Sequence, residues 1–173
     1  MKVALVGFPG SGKSKVGKRL ARALTWQVRD IDCLFEERYK ITIPLFFEKY
    51  GEQAFRKCEA KLLRSLQEEK NIVIACGGGL PCFEDNMQWL LNNSFCIYLQ
   101  LSPQSLYNRL CNSKTERPLL ANKSPEELLV YIQKTLALRE PFYAQAHLVV
   151  KGENLVVEDL CAKVQQNFRI DSV

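Results

Sequence analysis

The run Gly7-Phe8-Pro9-Gly10-Ser11-Gly12-Lys13-Ser14 constrains this chain more than any other stretch. It fits G-x-x-x-x-G-K-[ST], a phosphate-binding loop that needs a strand before it and a helix after it. Both are legible. Val3-Ala4-Leu5-Val6 is a short unbroken apolar run, the mark of a buried strand. Lys15 to Leu24 carries Val16, Leu20, Ala23 and Leu24 on one helical face. Glycines let the backbone curl so that successive N–H groups face an anion, and the helix start adds its positive dipole end. Lys13 is suited to the β and γ phosphates, and Ser14 offers a hydroxyl to Mg²⁺.

The rest of the chain alternates in the same way. Strands are expected at 2–6, 26–29, 71–76, 95–101 and 148–150. Helices are expected at 15–24, from Cys33, from Pro44 to Gly51, and at 52–69, 85–91, 103–111, 124–139 and 158–167. Five alternations imply a three-layer α/β fold, with a parallel sheet between helices. Ligands of such sheets bind beyond the carboxyl ends of the strands. The phosphate loop, Asp30-Ile31-Asp32 and Gly77-Gly78-Gly79 each follow a strand, so all three should open on one rim. The length, 173 residues, suits a single domain over 1–173. The helices of about 33–69 form its acceptor-binding part. The polar stretch of about 112–122, with Arg117-Pro118, reads as a lid.

Several side chains on that rim suit phosphoryl transfer. Asp30 and Asp32, read as extended, project the same way. One carboxylate can serve Mg²⁺ through water, and the other can orient an acceptor hydroxyl and take its proton. Asp is equally at home at a helix start. Arg56 and Glu59 share a helix face, so Arg56 can fork onto a substrate carboxylate while Glu59 steadies it. Three successive glycines, Gly77, Gly78 and Gly79, suggest close approach of a ligand to the backbone. Arg117 on a closing lid could neutralise charge on the transferred group. Arg109 could reach the nucleotide phosphates after closure. Arg139, read as ending a helix, is a second carboxylate clamp or a cation satisfying the helix C-terminus.

Other chemistries find little support. The seven cysteines are odd in number, form no C-x-x-C pair and lack zinc spacing, so reduced thiols are expected. The one histidine, His147, sits before Leu148-Val149-Val150 in no catalytic pattern and reads as structural. The net charge of +5 comes without a dense basic patch, which suits small anionic substrates better than nucleic acid. No apolar run reaches membrane-spanning length, and no signal-peptide pattern opens the chain. A cytoplasmic protein, a monomer without nucleic-acid or membrane partners, is expected.

Taken together the motifs resemble those of shikimate kinases. The phosphate loop, Asp-x-Asp, Phe-Arg-x-x-Glu, Gly-Gly-Gly, Arg-Pro-Leu-Leu and Arg-x-x-x-Tyr occur here in that family's order over nearly the whole chain. The resemblance implies transfer of phosphate from ATP, with Mg²⁺, to the 3-hydroxyl of shikimate in aromatic amino acid biosynthesis. It implies a nucleoside-monophosphate-kinase-like sheet of strand order 2-3-1-4-5. It implies that Gly10, Ser11, Gly12, Lys13 and Ser14 hold ATP, that Ser14 and Asp30 serve Mg²⁺, and that Asp32, Arg56, Gly78 and Arg139 hold shikimate. Lys13, Asp32 and Arg117 would then act at the transfer. Phe8 is a bulky choice within the loop, and nothing marks an adenine site around Lys151 to Asn154. Two rivals are another small-molecule P-loop kinase and a GTPase-type switch. The second needs Asn-Lys-x-Asp, whereas this chain has Asn122-Lys123-Ser124-Pro125.

Overall fold

The structure, a computed structural model, describes residues 1–112 and 124–170. Its elements are β1 Lys2–Val6, α1 Lys13–Leu24, β2 Gln27–Asp30, α2 Ile31–Tyr39, α3 Ile43–Ser65, β3 Ile72–Ala75, α4 Asn86–Asn93, β4 Phe95–Gln100, α5 Pro103–Cys111, α6 Pro125–Tyr143, β5 Leu148–Lys151 and α7 Val157–Ile170. A 3-10 turn at Leu80–Cys82, unforeseen in the sequence, follows β3. All strand pairings are parallel, in the order β2-β3-β1-β4-β5. That is the order the resemblance implies. The lid expected at 112–122, with Arg117, lies almost wholly outside the described residues.

β1 is central because it is apolar on both faces. Val3, Ala4, Leu5 and Val6 are each 0% exposed. Alternate residues feed opposite cores, as strand geometry requires. Ala4 and Val6 join Leu63, Leu90, Leu106 and Leu136 from α3, α4, α5 and α6. Val3 and Leu5 join Leu20 of α1 and Leu160 and Val164 of α7. A third, smaller cluster of Phe35, Phe46, Phe55 and Leu62 lies between α2 and α3.

Two local expectations are corrected. Asp32 is not extended; it sits in the first turn of α2, whose N-cap is Asp30. The Asp30 side chain accepts from the N–H groups of Asp32 and Cys33 at 3.1 and 3.4 Å, satisfying two donors that a helix start leaves open. Arg139 does not end a helix either. α6 begins at a Ser124 capping box and continues past Pro141 to Tyr143. Pro141 removes one hydrogen bond of the last turn, but Ala144 N–H still donates to Glu140 at 2.8 Å. Within α3, Gly51 has φ of +77° and breaks the helix where the sequence ended one segment and began the next.

His147 is a structural acceptor: its Nδ1 takes the N–H of Cys96 at 3.0 Å, and its ring stacks on Phe95. All seven cysteines are free thiols. No described helix is long and apolar enough to cross a membrane.

Candidate active site

The phosphate loop curls as its glycines permit. Gly7, Gly10 and Gly12 all have positive φ, a conformation costly for other residues. Lys13 folds back over the loop, donating from Nζ to the carbonyls of Gly7 and Phe8 at 2.8 and 3.0 Å. It is only 7% exposed, yet α1 begins there, so its charge lies at a helix N-terminus beside a ring of backbone donors. Ser11 Oγ is buried with no hydrogen-bond partner among the described residues. Arg109 lies on the loop's outer side and needs no closure to reach it. Its guanidinium donates to Ser11 O and Gly152 O, both at 3.1 Å, and so ties the phosphate loop to the β5–α7 connection.

Beside the loop is a cavity of about 400 Å³. It gathers Ser14, Asp30, Asp32, Arg56, Gly77, Gly78, Gly79 and Arg139, eight of the residues singled out from sequence. They come from α1, the β2–α2 junction, α3, the segment after β3, and α6. Ile43, Pro44, Phe47 and Phe55 give the cavity an apolar wall, which suits a small ring.

Arg56 is the best-supported cation there. Its Nη1 donates to Glu59 at 2.8 Å, and its Nε and Nη2 donate to Glu52 at 3.2 and 2.9 Å. The Phe83 ring centre lies 4.4 Å from its Cζ, within cation–π range. Burial opposes the Arg56 charge, but Glu59 and Glu52 more than offset it, so the guanidinium stays charged. Glu59 is in the harder position, at 1% exposed with Oε1 lacking a hydrogen-bond partner among the described residues. Burial pushes its pKa up to about 7 despite the attraction of Arg56, and the Asp32 charge adds to the rise.

The protein's own packing also requires the three glycines. A side chain at Gly77 would meet Glu59 Oε1, and would come within 3.1 Å of Asp32 Oδ1. At Gly78 it would lie 2.6 Å from Cγ and 2.9 Å from N of Pro9, inside the phosphate loop. At Gly79 it would lie 2.5 Å from Nη2 of Arg56. Each glycine admits a different functional group of the protein itself.

Sequence reasoning also missed two supports. The buried Tyr143 hydroxyl donates to the Gly78 carbonyl, fastening the glycine segment to α6. Phe8, bulky for its loop, is 2% exposed in the main core, and Arg139 Cζ lies 5.9 Å from its ring centre. The i, i+4 spacing of Glu52 and Arg56 was a readable signal; no local pattern announces Phe83, or Tyr143 on Gly78.

Residues 9–169 match the family described as Shikimate kinase. The chain belongs to the shikimate kinase family. It is 39% identical over 154 residues to the shikimate kinase of Phocaeicola vulgatus, covering 89% of this chain and 88% of that protein. The crystal structure of shikimate kinase from Bacteroides thetaiotaomicron superposes with a TM-score of 0.90 at 34% identity, covering 98% of both chains. The shikimate kinase of Acinetobacter baumannii, solved in complex with shikimate, gives a TM-score of 0.85 at 32% identity over 99% of this chain and 94% of that one. The deoxyadenosine kinase of M. mycoides, at 19% identity and a TM-score of 0.59, shares the fold.

Proposed function

We propose that this chain transfers the γ-phosphoryl group of ATP to the 3-hydroxyl of shikimate, giving 3-phosphoshikimate for aromatic amino acid biosynthesis. The observation that carries this reading is the cavity that joins Asp32, Arg56, the three glycines and Arg139 to the edge of the phosphate loop. Gly10, Ser11, Gly12, Lys13 and Ser14 hold the triphosphate, with Arg109 beside them. Lys13 leaves its two carbonyl partners for phosphate oxygens and stabilises charge that grows during transfer. Asp32 orients the acceptor hydroxyl and can accept its proton. Most of the acceleration comes from alignment and electrostatics, since phosphoryl transfer asks little covalent work of the protein. Arg56 and Arg139 take the acceptor's carboxylate, and an acceptor without one leaves them poorly paired. Arg117 acts on the transferring group.

The residues present fit Mg²⁺. Among the described residues no group of three His, Cys, Asp or Glu could cage a metal, which suits an ion held mainly by water and substrate phosphates. Ser14 Oγ and Asp30, both on the cavity wall, would hold it. When bound, the ion neutralises phosphate charge and aligns the donor. The same reading makes the protein a cytoplasmic, single-domain monomer without nucleic-acid or membrane partners.

The direct test is product identification after incubation with ATP, Mg²⁺ and shikimate. The expected product is shikimate carrying one phosphate on the 3-hydroxyl. Turnover with gluconate or AMP, and none with shikimate, would overturn the reading. Asp32→Asn should lose most turnover, on the order of 10²-fold or more, with ATP affinity nearly unchanged. Near-normal turnover removes Asp32 from the mechanism.

A further inference from the structure

Arg56 has five N–H groups, and the described residues use three of them. Glu59 Oε2 accepts from Nη1, while Glu52 Oε1 alone accepts from both Nε and Nη2. One N–H remains on each terminal nitrogen, the number a carboxylate fork requires. The two partners are unlike. Glu59 is sealed in, whereas the Glu52 side chain is 43% exposed and reaches inward to Arg56, whose side chain is 9% exposed. Glu52 opens the second segment of α3 directly after the Gly51 break, four residues before Arg56, so helical spacing brings the two together. An ordinary exposed pair of this kind contributes little. Here one member is buried and the contact spans a whole edge of the guanidinium.

We propose that Glu52 is a positioning residue for acceptor binding: by holding the Nε–Nη2 edge of Arg56 it keeps the remaining N–H groups for the substrate carboxylate. The proposal rests on the reading of Arg56 as a carboxylate clamp. Without Glu52, the described residues hold Arg56 by a hydrogen bond at Nη1 alone. Its free Nε–Nη2 edge can then turn to the incoming acid, which shifts the acid relative to the phosphate loop. The Phe83 ring faces the guanidinium, 4.4 Å from its Cζ, and supplies no hydrogen-bond acceptor to replace Glu52.

The test is steady-state kinetics on the full chain with Glu52→Ala, Glu52→Gln and Arg56→Ala, each assayed with shikimate and with its neutral methyl ester. Glu52→Ala should raise the shikimate KM roughly tenfold, with kcat changed less than about twofold and the ATP KM unmoved. Glu52→Gln retains an acceptor oxygen and should recover part of the loss. With the methyl ester, parent and Glu52→Ala should have the same KM, because no carboxylate is left to align. A shikimate KM that is unchanged or lower in Glu52→Ala, while Arg56→Ala raises it, would make Glu52 a bystander or a competitor and overturn the proposal. An equal penalty with the ester, or on ATP, would make its role merely structural and also overturn it. If Arg56→Ala leaves the shikimate KM unchanged, the clamp reading itself falls.

Discussion

The proposed donor and acceptor halves of the site are built in opposite ways. The donor half is one octapeptide between β1 and α1, and its lysine bonds carbonyls five and six residues away. The acceptor half draws Asp32, Arg56, the three glycines and Arg139 from segments spread over more than half the chain. The donor loop springs from β1, whose last four residues are fully buried. The acceptor helices lean on their own small cluster, where the Phe35 ring packs 4.9 Å from Phe46 and 4.8 Å from Phe55. Local backbone geometry makes the first half; packing between distant segments makes the second. Phosphate binding should therefore survive changes that ruin acceptor binding, except where the two halves touch.

They touch at Gly78 and Pro9, and a pair of substitutions can break the comparison there. Gly78→Ala drives a methyl group into the backbone and ring of Pro9, and should raise KM for both substrates and cut kcat by about 10²-fold or more. Gly79→Ala meets the Arg56 guanidinium first, and should raise the shikimate KM on the order of tenfold while sparing ATP. Steady-state kinetics with each substrate varied in turn checks both. If Gly79→Ala harms ATP as much as shikimate, the halves are not separable.

This contrast also explains what could be read without the structure. The donor loop was legible because its motif, strand and helix are contiguous. The sheet order came through the resemblance, and the element pattern through hydrophobic periodicity. The acceptor half was legible as residues but not as reasons. The glycines suggest close approach of a ligand, and nothing in the sequence shows that Glu59, Pro9 and Arg56 occupy the places their side chains would fill. Asp32 reads as extended because Asp30 ends a strand; the Asp30 cap starts α2 at Ile31, two residues before the expected Cys33. Arg139 was read as a helix end because Pro141 follows it, yet a proline in the last turn of α6 costs only one hydrogen bond. Contacts between distant segments leave no spacing in the sequence.

A middle-sized effect concerns Glu59. Its pKa of about 7 in the fold lies above the usual carboxylate value, so ionising it costs more in the folded chain than in the unfolded one. Its contribution to stability is therefore full below about pH 4.5 and is lost as pH rises through about 7. In thermal unfolding between pH 5 and pH 8, the Tm advantage of the parent over Glu59→Gln should shrink as pH rises. A difference constant across that range would show that the group does not titrate there.

The smallest effect sharpens the comparison from the acceptor side. Gly51 has positive φ and open space where a side chain would go, so Gly51→Ala adds backbone strain and nothing else. A stability loss of roughly 1–3 kcal/mol is expected in denaturant unfolding, because φ of +77° with ψ of 170° is open essentially to glycine alone. The shikimate KM should move with it, because Glu52 starts the next helical segment, while the ATP KM stays put. A shift in ATP KM would tie the break to the donor half.

Phe8 and Pro9 bear on how such proteins can be engineered. Phosphate loops are treated as interchangeable cassettes, read mainly through their glycines, lysine and serine. Here two of the variable positions belong to the neighbouring chemistry: Phe8 lies in the main core beneath Arg139, and Pro9 fills the space beside Gly78. A chimera carrying another kinase's octapeptide would keep the nucleotide grip and lose the fit to the acid. Grafting the loop requires co-transplanting the glycine segment and the Arg139 turn of α6 as one unit.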